Sequence, residues 1–197
     1  MFIYIDDMRL KDNAKYNRIF NSAIESINEL GLSGTSISKI AKKADVSVAT
    51  IYIYFENKED LINKVYLGVK EDISEATFRD FRDSLELFEA FSHALTNFVK
   101  FLPENTAHLL FLTQFANSPL INNFAQQEGQ SLFHHIYSVF EKGIQQNLFK
   151  DVDTKLLVTY IFDPIMNYLK GRIDNHSIDQ RMIKIFIDMS WQAVIRH

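Results

Sequence analysis

Apolar positions recur every three or four residues along almost the whole chain, the spacing of one face of a helix, and nowhere alternate as in a half-buried strand. Ile19, Ala23, Ile27 and Leu30 form the first stripe and predict a helix over about Lys11 to Leu30, stopped by Gly31. Ile37, Ile40, Ala41 and Ala44 share one face of a short helix capped by Thr35 or Ser36. A second short run, Val48 to Phe55, starts after Ser47. In Asn57-Lys58-Glu59-Asp60, Asn57 can cap the next helix while Asp60 reaches back from its third position, and Leu61, Val65, Val69 and Ile73 follow on one face.

Longer helices make up the remainder. Ser84 is the expected cap of a helix carrying Leu85, Phe88, Phe91, Leu95, Phe98 and Leu102 and stopping at Pro103. Another runs from about Glu104 to Asn117, before Ser118-Pro119. A single long helix is expected from about Leu120 to Gln146, with Phe124, Leu132, Ile136, Val139, Phe140 and Ile144 on its apolar side. Asp153 opens the next, which runs to about Arg172 and should lose a ladder bond and kink at Pro164. Ser177 opens the last. The fold class is all-α, with about nine helices.

Composition narrows the function classes. Six Gly and three Pro in 197 residues argue against a turn-dense β fold and against long linkers. The absence of cysteine removes disulfide scaffolds, thiolate metal sites and cysteine nucleophiles. No apolar stretch approaches a membrane span, and Met1 to Ile5 lacks a signal-peptide pattern, so the expectation is a cytoplasmic protein with no membrane partner. The net charge of −4 conceals an asymmetry: residues 8–55 carry 7 basic against 4 acidic side chains, a net of +3, whereas residues 71–197 carry 11 against 16, a net of −5.

The basic region contains T-S-I-S-K-I-A-K-K-A-D-V-S-V-A-T-I-Y-I-Y-F from Thr35 to Phe55, two short helices joined by a turn at Ala44-Asp45-Val46. Its small core would be Ile37, Ile40, Ala41, Val46, Ile51 and Phe55, leaving Val48, Ala49, Thr50, Tyr52, Ile53 and Tyr54 facing outward on the second helix. Small residues at the leading end suit a helix that enters a groove roughly 12 Å wide. Together with G-L-S-G-T-S-I-S-K-I-A (Gly31 to Ala41) and N-K-E-D-L (Asn57 to Leu61), this run resembles the tetracycline-repressor family of transcriptional regulators.

The resemblance implies an N-terminal helix-turn-helix DNA-binding domain over residues 1–57 and a helical ligand-binding and dimerisation domain over 58–197; residues 1–10 are a lead-in, of which Met1 to Asp7 is expected to be dispensable or a mis-assigned start. It implies a DNA interface of Ser36, Lys39, Ser47, Val48, Ala49, Thr50, Tyr52, Ile53, Tyr54 and Lys58. Ser36 and Ser47 would cap helices facing phosphates, Tyr52 and Tyr54 would offer hydroxyls to the backbone, and Lys58 would pair with a phosphate. Two departures from the family pattern matter. Asp45 holds a turn position that is often Gly, and Asp tolerates the left-handed region better than most residues. Val48 and Ile53 stand where polar residues, Lys or Pro are common; neither can donate a hydrogen bond, which shifts weight to Thr50, to thymine methyls and to DNA shape.

The family also implies a homodimer through the last two helices, and the apolar residues spread around the final one (Met182, Ile183, Ile185, Phe186, Ile187, Met189, Trp191, Ala193) fit burial on more than one side. Two recognition helices would then lie about 34–36 Å apart on a pseudo-palindromic double-stranded operator. A cavity for a small hydrophobic or aromatic effector is implied among the middle helices, with Phe88, Phe91, His93, Phe98, His108, Phe111, Phe115, His135 and Tyr137 as candidate lining. Lys100 is the sole basic residue between Asp83 and Glu141, so a polyanionic effector is disfavoured. The alternative is a helix-turn-helix regulator without an effector, controlled by a protein partner. Catalysis is not expected: Glu89–His93 and Glu104–His108 miss the Glu-x-x-His spacing of di-metal bundles, and no phosphate-cradling Gly loop appears. No catalytic residue, metal or cofactor is therefore assigned.

Overall fold

The computed structural model describes residues 2–115, 121, 123–172 and 178–196. The helices are α1 (Phe2–Gly34), α2 (Ile37–Lys43), α3 (Val48–Tyr54), α4 (Lys58–Thr77), α5 (Leu87–Glu104), α6 (Thr106–Thr113), α7 (Asn123–Ser131), α8 (His134–Gln145), α9 (Thr154–Lys170) and α10 (Gln180–Val194). The fold is all-helical, and the one extended pairing among the described residues is an isolated antiparallel bridge between Phe149 and Ile195.

Local chemistry sets most boundaries where the pattern placed them. Ser36 and Ser47 are extended N-cap residues whose hydroxyls accept the Lys39 and Thr50 amide protons. Asn57 Oδ1 accepts from Asp60 N at 2.9 Å, and Asp60 Oδ2 reaches one residue further back than a standard box, to Glu56 N at 2.9 Å. Asp153 caps α9 through the Lys155 amide. Gly31 breaks the helical path inside α1 at φ 70°, a conformation that side-chain-bearing residues seldom adopt.

Several boundaries differ from expectation. α1 begins at Phe2 rather than near Lys11, so the lead-in continues the helix. α5 starts at Leu87 after Glu86, not after Ser84. Residues 78–85 are instead held in turns, with Phe81 N bonded to Phe78 O, Leu85 N to Arg82 O, and Asp80 left-handed at φ 60°. Pro103 lies within the last turn of α5, which Asn105 closes through the Phe101 and Leu102 carbonyls. The stretch expected as one helix to Gln146 is two, making ten helices. Ser74 Oγ donates to the Leu132 carbonyl at 2.6 Å, occupying an acceptor that a continuous helix would use, and Phe133 turns out of the helical region. α10 is capped by Asp179, whose carboxylate accepts from Met182 N at 2.7 Å; Ser177, like the Ser118-Pro119 stop, lies outside the described residues.

The chain forms two compact units, residues 1–68 with 110–126, and residues 69–109 with 127–197. In the first, α2 packs on α1 and α3 over Ile19, Ala23, Ile27, Ile40, Ile51, Phe55 and Leu61, all buried. In the second, α5 is the hub, packed by α8, α9 and α10. Phe91, Leu95 and Val99 of α5 are buried there with Ile136 and Phe140 of α8 and Ile161 and Ile165 of α9. Phe88, Phe91 and Phe149 each meet the Trp191 ring edge to face, with centroids 4.9–5.4 Å apart. Gly143 is required by this cluster, since a Cβ there would sit 2.1 Å from Phe149 Cδ2.

Candidate nucleic-acid interface

The turn between α2 and α3 decides how α3 is presented. Ala44 N bonds Ile40 O at 2.8 Å and Val46 N bonds Ala41 O at 3.0 Å, closing α2 through a left-handed Asp45 at φ 53°. Ser47 then opens α3, and Ile51 and the following Phe55 drop into the core. That registers the helix. At about 100° per residue, Val48, Tyr52, Ala49 and Ile53 occupy one outward arc of about 140°, and all four are exposed: Val48 41%, Tyr52 52% and Ile53 77%.

This outward face carries no formal charge and no amide. Thr50 lies at its margin, and its hydroxyl is 2.8 Å from Ser47 Oγ, which also accepts the Thr50 amide at 3.0 Å. Thr50 is therefore part of the cap as well as part of the helix surface. Tyr54 is half-buried, its ring set against Tyr16 (5.9 Å) and Phe55 (6.4 Å), so it braces α3 on α1. Tyr52, by contrast, stands in solvent.

Lys39 Nζ donates to Gly34 O at 2.7 Å and Lys58 Nζ to Leu32 O at 2.9 Å, so both ammonium groups gather on the carbonyls that end α1. Each retains donors, since an ammonium has three. Lys43 is committed elsewhere: its hydrogen bond with Glu29 raises its pKa, with Glu25 adding to the effect. Lys42 and Ser36 are accessible beside Lys39 in the sequence. The sequence reading missed the double capping of α1 by Lys39 and Lys58; these contacts span 5 and 26 residues, and no local pattern encodes the longer one.

The nine residues expected to line an effector cavity fall in several places. Phe111 and Phe115 belong to the first unit, where their rings meet at a tilt of 50° with centroids 4.7 Å apart, and Tyr66 meets Phe115 edge to face at 6.0 Å. The other seven belong to the second. Phe88 and Phe91 pack on Trp191, and Phe98 meets Phe162 at 4.8 Å. His108 Nε2 is 2.9 Å from Asp72 Oδ2, and Tyr137 accepts from Gln130 Nε2 at 3.1 Å. His93 and His135 do come together, both against Phe81, with His93 Nε2 2.7 Å from Arg79 O and His135 Nδ1 3.5 Å from Asp83. Beside His135 and Asp83 is a recess of about 10 Å³, room for one water.

The second unit also contains a cation that the sequence did not flag. Lys70 Nζ lies 4.5 Å above the Phe133 ring. Burial pulls its pKa down to about 8, and the Asp163 carboxylate partly opposes this. Among the described residues no group of His, Asp and Glu could hold a metal ion, and no helix is long and apolar enough to cross a membrane.

Two family profiles match the chain: "Bacterial regulatory proteins, tetR family" over residues 19–65, and "Tetracyclin repressor-like, C-terminal domain" over residues 86–195. Among curated proteins, the uncharacterized HTH-type transcriptional regulator YhgD of Bacillus subtilis is 27% identical over 158 residues, 74% of this chain and 81% of that one. A solved TetR family transcription regulator from Marinobacter aquaeolei superimposes with a TM-score of 0.87 at 25% identity, covering 96% of this chain and 100% of the other. FadR from Bacillus subtilis, solved in complex with stearoyl-CoA, shares the fold at a TM-score of 0.70 and 21% identity over 89% of this chain and 97% of its own.

Proposed function

The chain belongs to the tetR family of bacterial regulatory proteins, and from that premise we propose that it represses transcription as a cytoplasmic homodimer on a pseudo-palindromic operator and lets go when a small, mainly apolar effector binds. It is a transcriptional regulator with a DNA-binding domain, not an enzyme. The observation that carries the finer reading is the accessible α3 face, presented by a capped turn in a unit whose α1 end holds the Lys39 and Lys58 ammonium groups. We assign residues 1–57 to DNA and 58–197 to dimerisation and effector binding. Ser36, Ser47, Tyr52 and Lys58 are the proposed phosphate contacts, positioning the helix without reading sequence.

Dimerisation draws support from α9 and α10, which pack side by side. Leu156 and Tyr160 on α9, and Ile185 and Met189 on α10, are exposed at i, i+4 spacing, with Tyr160 62% and Met189 67% accessible. Large apolar side chains in such a stripe fit a self-complementary two-fold contact. For the effector, the support is the aromatic content of the helical body, in which Lys100 is the sole Lys or Arg between Asp83 and Glu141; FadR, of the same fold, was solved in complex with stearoyl-CoA, which joins a long apolar acyl chain to an anionic coenzyme A group. An effector works only by favouring the conformation that does not bind DNA.

Footprinting on the DNA flanking the gene, repeated with lipophilic compounds and with sugar phosphates, tests the proposal. Protection of a two-fold-symmetric site that lipophilic compounds abolish is the expected result. Protection released by no small molecule would favour control by a protein partner, and no protected site would overturn the DNA reading.

A further inference from the structure

The helix placed to enter the groove cannot read bases in the usual manner. Sequence readout in the major groove rests largely on Arg, Lys, Asn and Gln, whose donors match guanine and adenine edges. None of these residues occurs in V-A-T-I-Y-I-Y. The polar atom on the exposed arc is the Tyr52 hydroxyl, and Thr50 at the margin is tied to Ser47 at 2.8 Å. What the arc offers instead is aliphatic: Val48 at its leading end and Ile53, with Ala49 between them leaving space for a close approach. Both larger side chains are well exposed, though nothing in the packing of the first unit prevents a polar residue at either position.

An aliphatic side chain in the major groove has one apolar feature to meet, the 5-methyl group of thymine. Duplex DNA is the occupant because the tetR-family profile covers this helix, matching residues 19–65, and charge complementarity fits it: the arc itself is neutral, whereas residues 8–55 around it carry 7 basic against 4 acidic side chains, so phosphates are met away from the arc and base edges at it. We propose that Val48 and Ile53 read thymine 5-methyl groups, so that each operator half-site is specified by apolar contact at these positions rather than by hydrogen bonds to base edges. The inference rests on the DNA-binding reading above and names the base chemistry that the same face selects. Thymine methyls at two positions of a half-site face Val48 and Ile53, and cytosine, which lacks the methyl, is rejected there.

Deoxyuridine tests it directly, because it pairs as thymine does and differs only in lacking that methyl. Full-length protein would first be used to select half-sites from a random-sequence duplex library. Duplexes carrying the selected site would then be compared with versions bearing deoxyuridine at single positions. Wild type should lose about fourfold in affinity at each of two thymines per half-site, the effect of removing one buried methyl. Ile53→Ala, at an exposed position, should bind the thymine and deoxyuridine duplexes equally at one of those positions and keep the loss at the other; Val48→Ala should show the converse. Deoxyuridine that is neutral everywhere, in a site the protein still selects, would overturn the inference while leaving DNA binding intact. A deoxyuridine loss that persists in both variants would overturn it too, because the methyls would then be acting through duplex shape. Failure to select any sequence would instead strike the reading on which it rests.

Discussion

Lys58 shows how one side chain can serve two states of the protein. Its ammonium closes the end of α1 through Leu32 O and keeps free donors for a phosphate. Lys58→Ala should weaken binding to every duplex alike and lower the slope of log affinity against log salt by about one, because a phosphate contact carries no base information. The same change should cost about 0.5–1.5 kcal/mol of stability for the lost hydrogen bond. Salt titrations by fluorescence anisotropy, read beside thermal melts, would separate the two; an unchanged slope would remove Lys58 from the interface. Asp45 is the other residue whose role is local and measurable. It is held at φ 53°, so Asp45→Gly should stabilise the first unit by about 0.5–1 kcal/mol and Asp45→Val should destabilise it by more, both read by chemical denaturation.

At the scale of the element, what the sequence disclosed was what neighbours in sequence decide. The caps Ser36, Ser47, Asn57 and Asp153, the stop at Gly31 and the left-handed turn at Asp45 all act within four residues, and each is visible in the pattern. The break between α7 and α8 was not legible: the Leu132 carbonyl there accepts from Ser74 Oγ, 58 residues away, a partner that no local pattern announces. The start of α5 was misplaced for a related reason: Ser84 is a good cap by composition, but the turns of residues 78–85 leave Glu86 to accept the first helical bond, from Ala90 at 2.8 Å. The outward set on α3 was legible from period alone, apart from Tyr54, which Tyr16 draws partly inward, and Thr50, half-buried where it bonds Ser47. The scattered aromatics of the body show the limit of that method, since a helical stripe marks burial and does not say what is buried against what. The contact between α9 and α10 gives an element-level test of the dimer. Met189→Glu or Tyr160→Glu should leave the helical circular-dichroism signal unchanged and convert the sedimenting species to a monomer, with operator affinity falling in parallel.

For the whole molecule, Lys70 makes stability depend on alkalinity. Its pKa of about 8 lies below the ordinary lysine value of 10.5, so between those two values the unfolded chain holds a proton that the folded chain has released. Stability from this group should therefore rise as pH climbs from about 8 towards 10.5, and below pH 8 the folded state carries the cost of a charge it solvates poorly. Lys70→Met should raise stability at pH 7 by about 1–3 kcal/mol and flatten that rise, as measured by denaturant titration at several pH values. A variant less stable at pH 7 would mean that the contacts with Phe133 and Asp163 outweigh desolvation. The second unit is also tied to itself at its far end. Lys150 N bonds Val194 O at 2.9 Å and Arg196 N bonds Leu148 O at 2.8 Å, two rungs that join the loop after α8 to the residues closing α10. In hydrogen–deuterium exchange those two amides, which belong to a loop and a terminus and would ordinarily exchange within seconds, should be protected together and become exposed in the same opening event. The fraying of α10 and the loosening of the loop after α8 are then one motion, with Phe149 and Trp191 as its latch.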